Sequence, residues 1–260
     1  MEFCTIASGS SGNSSYVGFG QTRFLVDAGI SGKRIENALF TANVRGIDGI
    51  FITHEHRDHI TGAGIIARRL KTKIYATPLT WRFFAANRCL GPLDAWQINI
   101  IEPSKPVEIC GVKVTAFDIS HDAAQPVGFT FEAGGKKIAC ATDLGVATDS
   151  VKAHLKNAQI VLIESNHDPQ MLKNGPYHYA LKERVASDRG HLSNAQAGML
   201  LAEITHDKLE YVFLAHASAE NNTPFLAHDT VKRVLEGNDV YIKNIIVAER
   251  NKPGMVVRCD

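Results

Sequence analysis

Short apolar runs broken by small polar residues fill the first quarter of the chain, at 3–8, 14–18 and 23–27, and each predicts a β-strand bounded by a turn. Apolar positions then fall at helical spacing: 31–42 predicts a helix with Ile35, Ala38 and Leu39 on one face and Ser31 placed to cap it. A strand over 47–53 follows, then helices over 60–70 and 79–88 with a strand over 73–76 between them. The middle turns to strands, at 97–101, 107–109, 112–119, 127–133 and 137–142, and Gly134-Gly135 marks a tight hairpin between the last two. The remainder predicts helix 150–157, strand 160–163, helices near 179–187 and 194–204, strand 211–215, helix 229–235, and strands near 241–248 and 255–258. Each half runs from strands into helices, which suits two sheets packed face to face with helices outside. Periodicity alone says only α/β or α+β.

Composition changes this picture little. With 260 residues and 45% hydrophobic content the chain can bury a substantial core. A net charge of +1 does not announce a nucleic-acid binder. The five cysteines are odd in number and form no CxxC pair, which reads as reduced thiols in a cytoplasmic protein, with Cys140 packed inside its strand. The N-terminus lacks a basic segment followed by a long apolar core, so no signal peptide is expected. No apolar stretch approaches the ~18–20 residues of a membrane span, and no membrane partner is expected.

The chemistry sits at strand ends. Residues 53–59 read Thr-His-Glu-His-Arg-Asp-His, so His54, His56, Asp58 and His59 fall within six positions directly after an apolar run, in a chain holding only 11 histidines. Imidazole plus carboxylate is a ligand set for zinc, manganese or iron. His121 follows the run 112–119, Asp143 ends 137–142 and His216 ends 210–215, each at the rim where the loops of a sheet gather.

These ordered motifs resemble the metallo-β-lactamase superfamily over the whole chain. Ser8-Gly9-Ser10-Ser11-Gly12-Asn13-Ser14, Asp27-Ala28-Gly29-Ile30-Ser31 and the stretches 53–62, 121–129, 142–145, 164–168, 191–194 and 214–222 are most similar to the YycJ (WalJ) family. The resemblance implies one domain over 1–260 with a four-layer αββα sandwich. It assigns His54, His56 and His121 to one divalent ion (Zn or Mn), Asp58, His59 and His216 to a second, and Asp143 to both. Two such ions acidify a water between them toward hydroxide, down to a pKa of ~7 in the best zinc cases. Asp58 then orients the nucleophile and handles its proton. The implied activity is a bacterial metal-dependent exonuclease on duplex DNA, 5′-to-3′, linked to repair. A small-molecule metallo-hydrolase acting on a cyclic phosphodiester, lactone or thioester is the alternative, and a metal-binding regulatory protein a third.

Two further stretches favour phosphodiester chemistry. Glu164 and His191, with Ser193 and Asn194 opening a helix, resemble the acidic and His-Ser-Thr motifs of tRNase Z, though neither match is complete. His191 is expected to protonate the leaving oxygen or contact the phosphate, with Glu164 beside it, and Ser193 and Asn194 to seat phosphate at the exposed helix-start amides. The plainer alternative makes Ser193 a helix cap and His191 a packed residue beneath it. The 8–14 loop reads as a hairpin turn that could touch phosphate, and Arg68-Arg69-Leu70-Lys71-Thr72-Lys73 as a solvated helix end or a backbone contact.

Overall fold

A computed structural model describes residues 1–259. The first sheet is built from β1 (Glu2–Ala7), β2 (Ser14–Phe19), β3 (Thr22–Val26), β4 (Gly49–Phe51), β5 (Ile74–Ala76) and β6 (Ile98–Ile100) in that order. The second is built from β7 (Val107–Ile109), β8 (Val112–Asp118), β9 (Val127–Ala133), β10 (Lys136–Ala141), β11 (Ile160–Glu164), β12 (Tyr211–Ala215) and β13 (Asn244–Val247). The last strand, β14 (Val257–Arg258), returns to pair with β1. Both sheets change from antiparallel to parallel part-way across: β3 to β6 run parallel, as do β10 to β13. The parallel crossovers carry helices, as such connections must. These are α1 (Gly32–Thr41), α2 (Arg57–Ile60), α3 (Ala63–Arg69) and α4 (Pro78–Asn87) on the first sheet, then α5 (Asp149–Leu155), α6 (Pro169–Asn174), α7 (Tyr179–Ala186), α8 (Asn194–Ile204) and α9 (Pro224–Gly237).

Strand periodicity separates three cores, as four layers require. On β4 and the residue after it, Ile50 and Ile52 face α1 and α3, whereas Phe51 faces the other sheet. On β12, Val212 and Leu214 face α8 and α9, and Phe213 points between the sheets. The inter-sheet core is aromatic: Phe51 packs edge-on against Phe24, Phe129 and Phe131, with ring centroids 5.3–5.4 Å apart. The expected αββα sandwich is therefore the observed one.

Several expected elements shift. The helix expected over 60–70 starts earlier and breaks: α2 begins inside the ligand loop, and α3 follows after Gly62, whose amide donates to Ala28 O. Ser31 holds the N-cap position of α1 without a side-chain cap bond. Helix α9 begins at Pro224, five residues before the expected start, capped by Thr223. Helix α6, capped by Asp168, was not expected. All five cysteines are unpaired, and Cys140 is buried in β10. The basic run is tied down in part, because Arg68 donates to the Leu90 and Pro92 carbonyls and Arg69 pairs with Glu36.

Candidate metal centre

Parallel neighbours deliver the site. The ends of β10, β11 and β12 lie side by side and present Asp143, Glu164 and His216, while β4 runs into the 53–59 loop from the other sheet. Three turning points are strained. Asp27, Asp143 and His216, each one or two residues beyond a strand, have φ of 57°, 59° and 54°. Left-handed backbone at a non-glycine residue is uncommon and concentrates where a side chain must be re-aimed at a site. Gly29 lets the loop after β3 lie against the ligand loop, since a Cβ there would stand 1.6 Å from Asp58 O.

The seven residues expected as ligands converge in two groups. His54 Nε2 lies 3.0 Å from His56 Nδ1, and His121 Nε2 lies 3.3 Å from the same atom. On the other side, Asp58 Oδ2 is 3.5 Å from His59 Nε2 and 3.6 Å from His216 Nε2. Asp143 stands between them, Oδ2 at 3.2 Å from His59 Nε2 and Oδ1 at 3.3 Å from His216 Nε2 and 3.8 Å from His121 Nε2. Tetrahedral zinc with ~2.0–2.1 Å bonds sets its nitrogens ~3.3 Å apart, which is the spacing these atoms adopt. Among the described residues Asp143 Oδ2 and His216 Nε2 are buried without hydrogen-bond partners, which is costly unless a cation satisfies them. The residues fit divalent metal.

The outward ring nitrogens are held in turn. His54 Nδ1 lies 2.9 Å from Thr53 Oγ1, whose hydroxyl donates to Asp27; His59 Nδ1 donates to Asp27 Oδ2 at 2.7 Å; His121 Nδ1 donates to Gly190 O at 3.2 Å. His216 Nδ1 and His191 Nδ1 both donate to Glu164 Oε1, at 2.9 and 2.8 Å. Each bond fixes the tautomer that leaves the other nitrogen facing inward. The 8–14 loop braces the ligands: Ser8 Oγ accepts from the His216 amide at 2.7 Å and Asn13 Nδ2 donates to Asp58 Oδ2 at 3.2 Å.

The two groups differ electrically. Burial, reinforced by neighbouring imidazoles, pushes His54 and His121 below the ordinary histidine value. Burial would lower His59 and His216 too, but Asp27 and Asp143 hold His59 well up, and Asp143, Asp58 and Glu164 push His216 up to about 10. Against its burial, Glu164 is held down at about 2 by His191 and His216. One side thus disfavours charge on His54 and His121, and the other is a carboxylate-rich pole that demands positive charge.

Glu164 and His191 join the centre from the second half of the chain, as expected, with His191 Nδ1 3.7 Å from Asp143 Oδ1. They line it differently. His191 borders a cavity of about 260 Å³ together with His56, Asp58, His121, Asp143 and His216, whereas Glu164 is wholly buried and acts through the imidazoles. Ser193 and Asn194 do not reach this cavity, which corrects the expectation that they seat substrate. Ser193 caps α8 by accepting from the Gln196 amide, and fully buried Asn194 is bound to Ser165 and Asn222. Sequence reasoning missed Asp27 as a supporting residue, although it ends an apolar run just as Asp143 does.

Two sheets with outer helices and a histidine–carboxylate centre at one rim define a metal-dependent hydrolase of the β-lactamase superfamily: residues 22–217 match its "Beta-lactamase superfamily domain", and the chain belongs to that family. Among its relatives are exodeoxyribonuclease YycJ of Bacillus anthracis, 39% identical over 91% of this chain and 89% of that protein, and exodeoxyribonuclease WalJ of Streptococcus pneumoniae serotype 2, 37% identical over 92% and 90%. The fold is shared with Zn²⁺-bound PqqB from Methylobacterium extorquens, at TM-score 0.73, 18% identity and full coverage of both chains.

Proposed function

We propose that this protein is a two-metal phosphodiesterase acting on DNA, an exonuclease that digests duplex ends 5′-to-3′. The observation that carries the reading is the His191–Glu164 pair beside the ligand cluster, in a chain 39% identical to a protein named an exodeoxyribonuclease. In this reading His54, His56 and His121 hold one divalent ion and Asp58, His59 and His216 the other, with Asp143 between them. Zinc or manganese bound there supplies Lewis acidity, lowering the pKa of water and neutralising phosphate charge.

The chain's own groups do the rest. Asp58, one-quarter exposed at the cavity, orients the attacking water and accepts its proton. Burial works against the His191 imidazolium, but Glu164 favours it, and the ring borders the cavity where the leaving oxygen would stand, the place for a general acid. Buried Glu164 fixes that ring and the His216 ring at once. We take residues 1–260 as one catalytic unit in a reducing, cytoplasmic setting. Its cysteines are unpaired, and among the described residues no helix is long and apolar enough to cross a membrane.

The cavity of about 260 Å³ is smaller than the ~300–1,000 Å³ of typical ligand pockets, and this favours the second reading, a small phosphodiester, lactone or thioester. Turnover of end-labelled duplex DNA is therefore compared with a panel of small phosphodiesters and esters, in Mn²⁺ and in Zn²⁺. Efficient DNA digestion from the 5′ end is expected. Feeble DNA turnover in both metals beside rapid turnover of a small substrate would replace the nuclease reading with the second.

A further inference from the structure

The wall facing the ligand cluster comes from α7 and the residue pair before it. Leu181, Arg184 and Val185 follow the i, i+3, i+4 spacing of one helix face, and Tyr177 lies a further turn back. All four line the cavity, and Arg184 is its only arginine or lysine among the described residues. Tyr177, Leu181 and Val185 make the rest of that wall aromatic and apolar. A cation set in such a wall, opposite a metal cluster, matches a nucleotide: charge for the phosphate, apolar surface for base and sugar.

Arg184 is held for this. Its Nε donates to Asp122 Oδ2 at 2.5 Å, and the two terminal amino groups, which make no hydrogen bond among the described residues, are left for a ligand. Its side chain is 54% exposed. Asp122 follows His121, and its other oxygen is buried without a donor, 3.4 Å from His121 Nε2. Because Asp122 directly follows His121 in the chain, this bond holds the arginine beside the ligand cluster. The C-terminal end of α7 is fixed as well: the His191 amide donates to Val185 O, and Gly190 packs so tightly that a Cβ would stand 2.2 Å from Arg184 O. A wall anchored beside both His121 and His191 is held near the reacting centre, and pre-organised donors of this kind bind phosphate at a reduced ordering cost.

We propose that Arg184, positioned by Asp122, binds the phosphate adjoining the scissile bond, and that Tyr177 packs on the base of the nucleotide being removed, so that the site takes one unpaired terminal nucleotide. This rests on the nuclease reading and gives it a substrate form. At about 260 Å³ the cavity suits a single nucleotide better than a base pair, and a duplex end is expected to fray by one step before hydrolysis.

The test uses the full-length, metal-loaded protein with 5′-phosphorylated oligonucleotides, single-stranded and duplex, and bis(p-nitrophenyl) phosphate, a small diester lacking a neighbouring phosphate. Arg184→Ala is expected to raise KM for DNA about 10- to 100-fold, the range for a hydrogen bond to a charged group, and to lose at least tenfold more on DNA than on the small diester. Its salt slope for DNA should fall by ~1. Arg184→Lys should recover part of the KM, and Asp122→Asn should raise it less than Arg184→Ala. Tyr177→Ala should penalise duplex ends more than single strands. Thermal melts and metal content show whether each variant is folded and loaded; should Arg184→Ala fail either check, Arg184→Lys and Asp122→Asn decide by the same comparison of DNA with small diester. If wild-type protein digests DNA and the folded variants retain its KM and salt slope, or lose equally on both substrates, the Arg184 proposal is wrong and the nuclease reading stands. If wild-type protein cleaves the small diester and no DNA, both fall.

Discussion

The two halves of the molecule build their shares of the centre by the same mechanics and in opposite styles. In the first half a single loop after β4 delivers His54, His56, Asp58 and His59, and the chain bends into α2 to do it. In the second half His121, Asp143 and His216 arrive one at a time beyond β8, β10 and β12, and strand order brings them together. Each half also supplies a buried carboxylate from the strand next to its histidine: Asp27 after β3 holds His59 from the loop after β4, and Glu164 on β11 holds His216 after β12. The difference lies in sharing. Asp27 serves one inner-facing ring and Thr53, whereas Glu164 serves His216 and His191 through one oxygen. The proposed general acid, His191, is thereby coupled to the second half alone.

Asp143 joins the halves, so its loss should be the largest. Asp143→Ala is expected to remove activity by several powers of ten and to weaken both metal positions, read by kinetics and by metal titration. A variant that keeps full affinity at either position would break the symmetry claimed for this residue.

His191→Ala comes next. A positioned acid is typically worth ~10²–10⁴-fold, so an ordinary phosphodiester should lose that much while one with an activated leaving group loses little. Equal losses would make His191 a phosphate contact, and no loss would make it a packed residue.

The two supporting carboxylates sharpen the contrast. Asp27→Asn and Glu164→Gln should each cost about 10- to 100-fold in metal affinity. Only Glu164→Gln should add a leaving-group-dependent loss at saturating metal. If both variants show it, the acid is not particular to the second half.

The smallest effect concerns stability. Burial pushes His167, behind the Glu164 loop, down to about 4 from its ordinary 6.5. The unfolded chain therefore takes up this proton first. Stability is intact above pH 6.5, declines as pH falls toward 4, and is lower by about 2 kcal/mol at about pH 5. Denaturation of wild type against His167→Asn should show that much of the slope vanish in the variant, and parallel slopes would refute it.

The clustered half was the more legible. Three histidines and an aspartate in one loop announce a metal to anyone reading the chain, while His121, Asp143 and His216 are recognisable only as ligand types at the ends of apolar runs. Asp27 was hidden because its role depends on strand pairing: nothing local says that β3 lies beside β4 and brings it to His59. Asn194 failed in the opposite direction. A polar residue opening a helix reads as exposed, yet Asn222, 28 positions on, buries it by hydrogen bonding. The start of the helix expected over 60–70 was misplaced because Asp58 and His59 themselves lie in its first turn.

Metal content per chain tests the shared, two-ion centre most directly. Protein saturated with Zn²⁺ or Mn²⁺ and freed of excess should carry two ions per chain, and His216→Ala should retain one, held by the histidine trio. One ion per saturated wild-type chain, unchanged in His216→Ala, would contradict it.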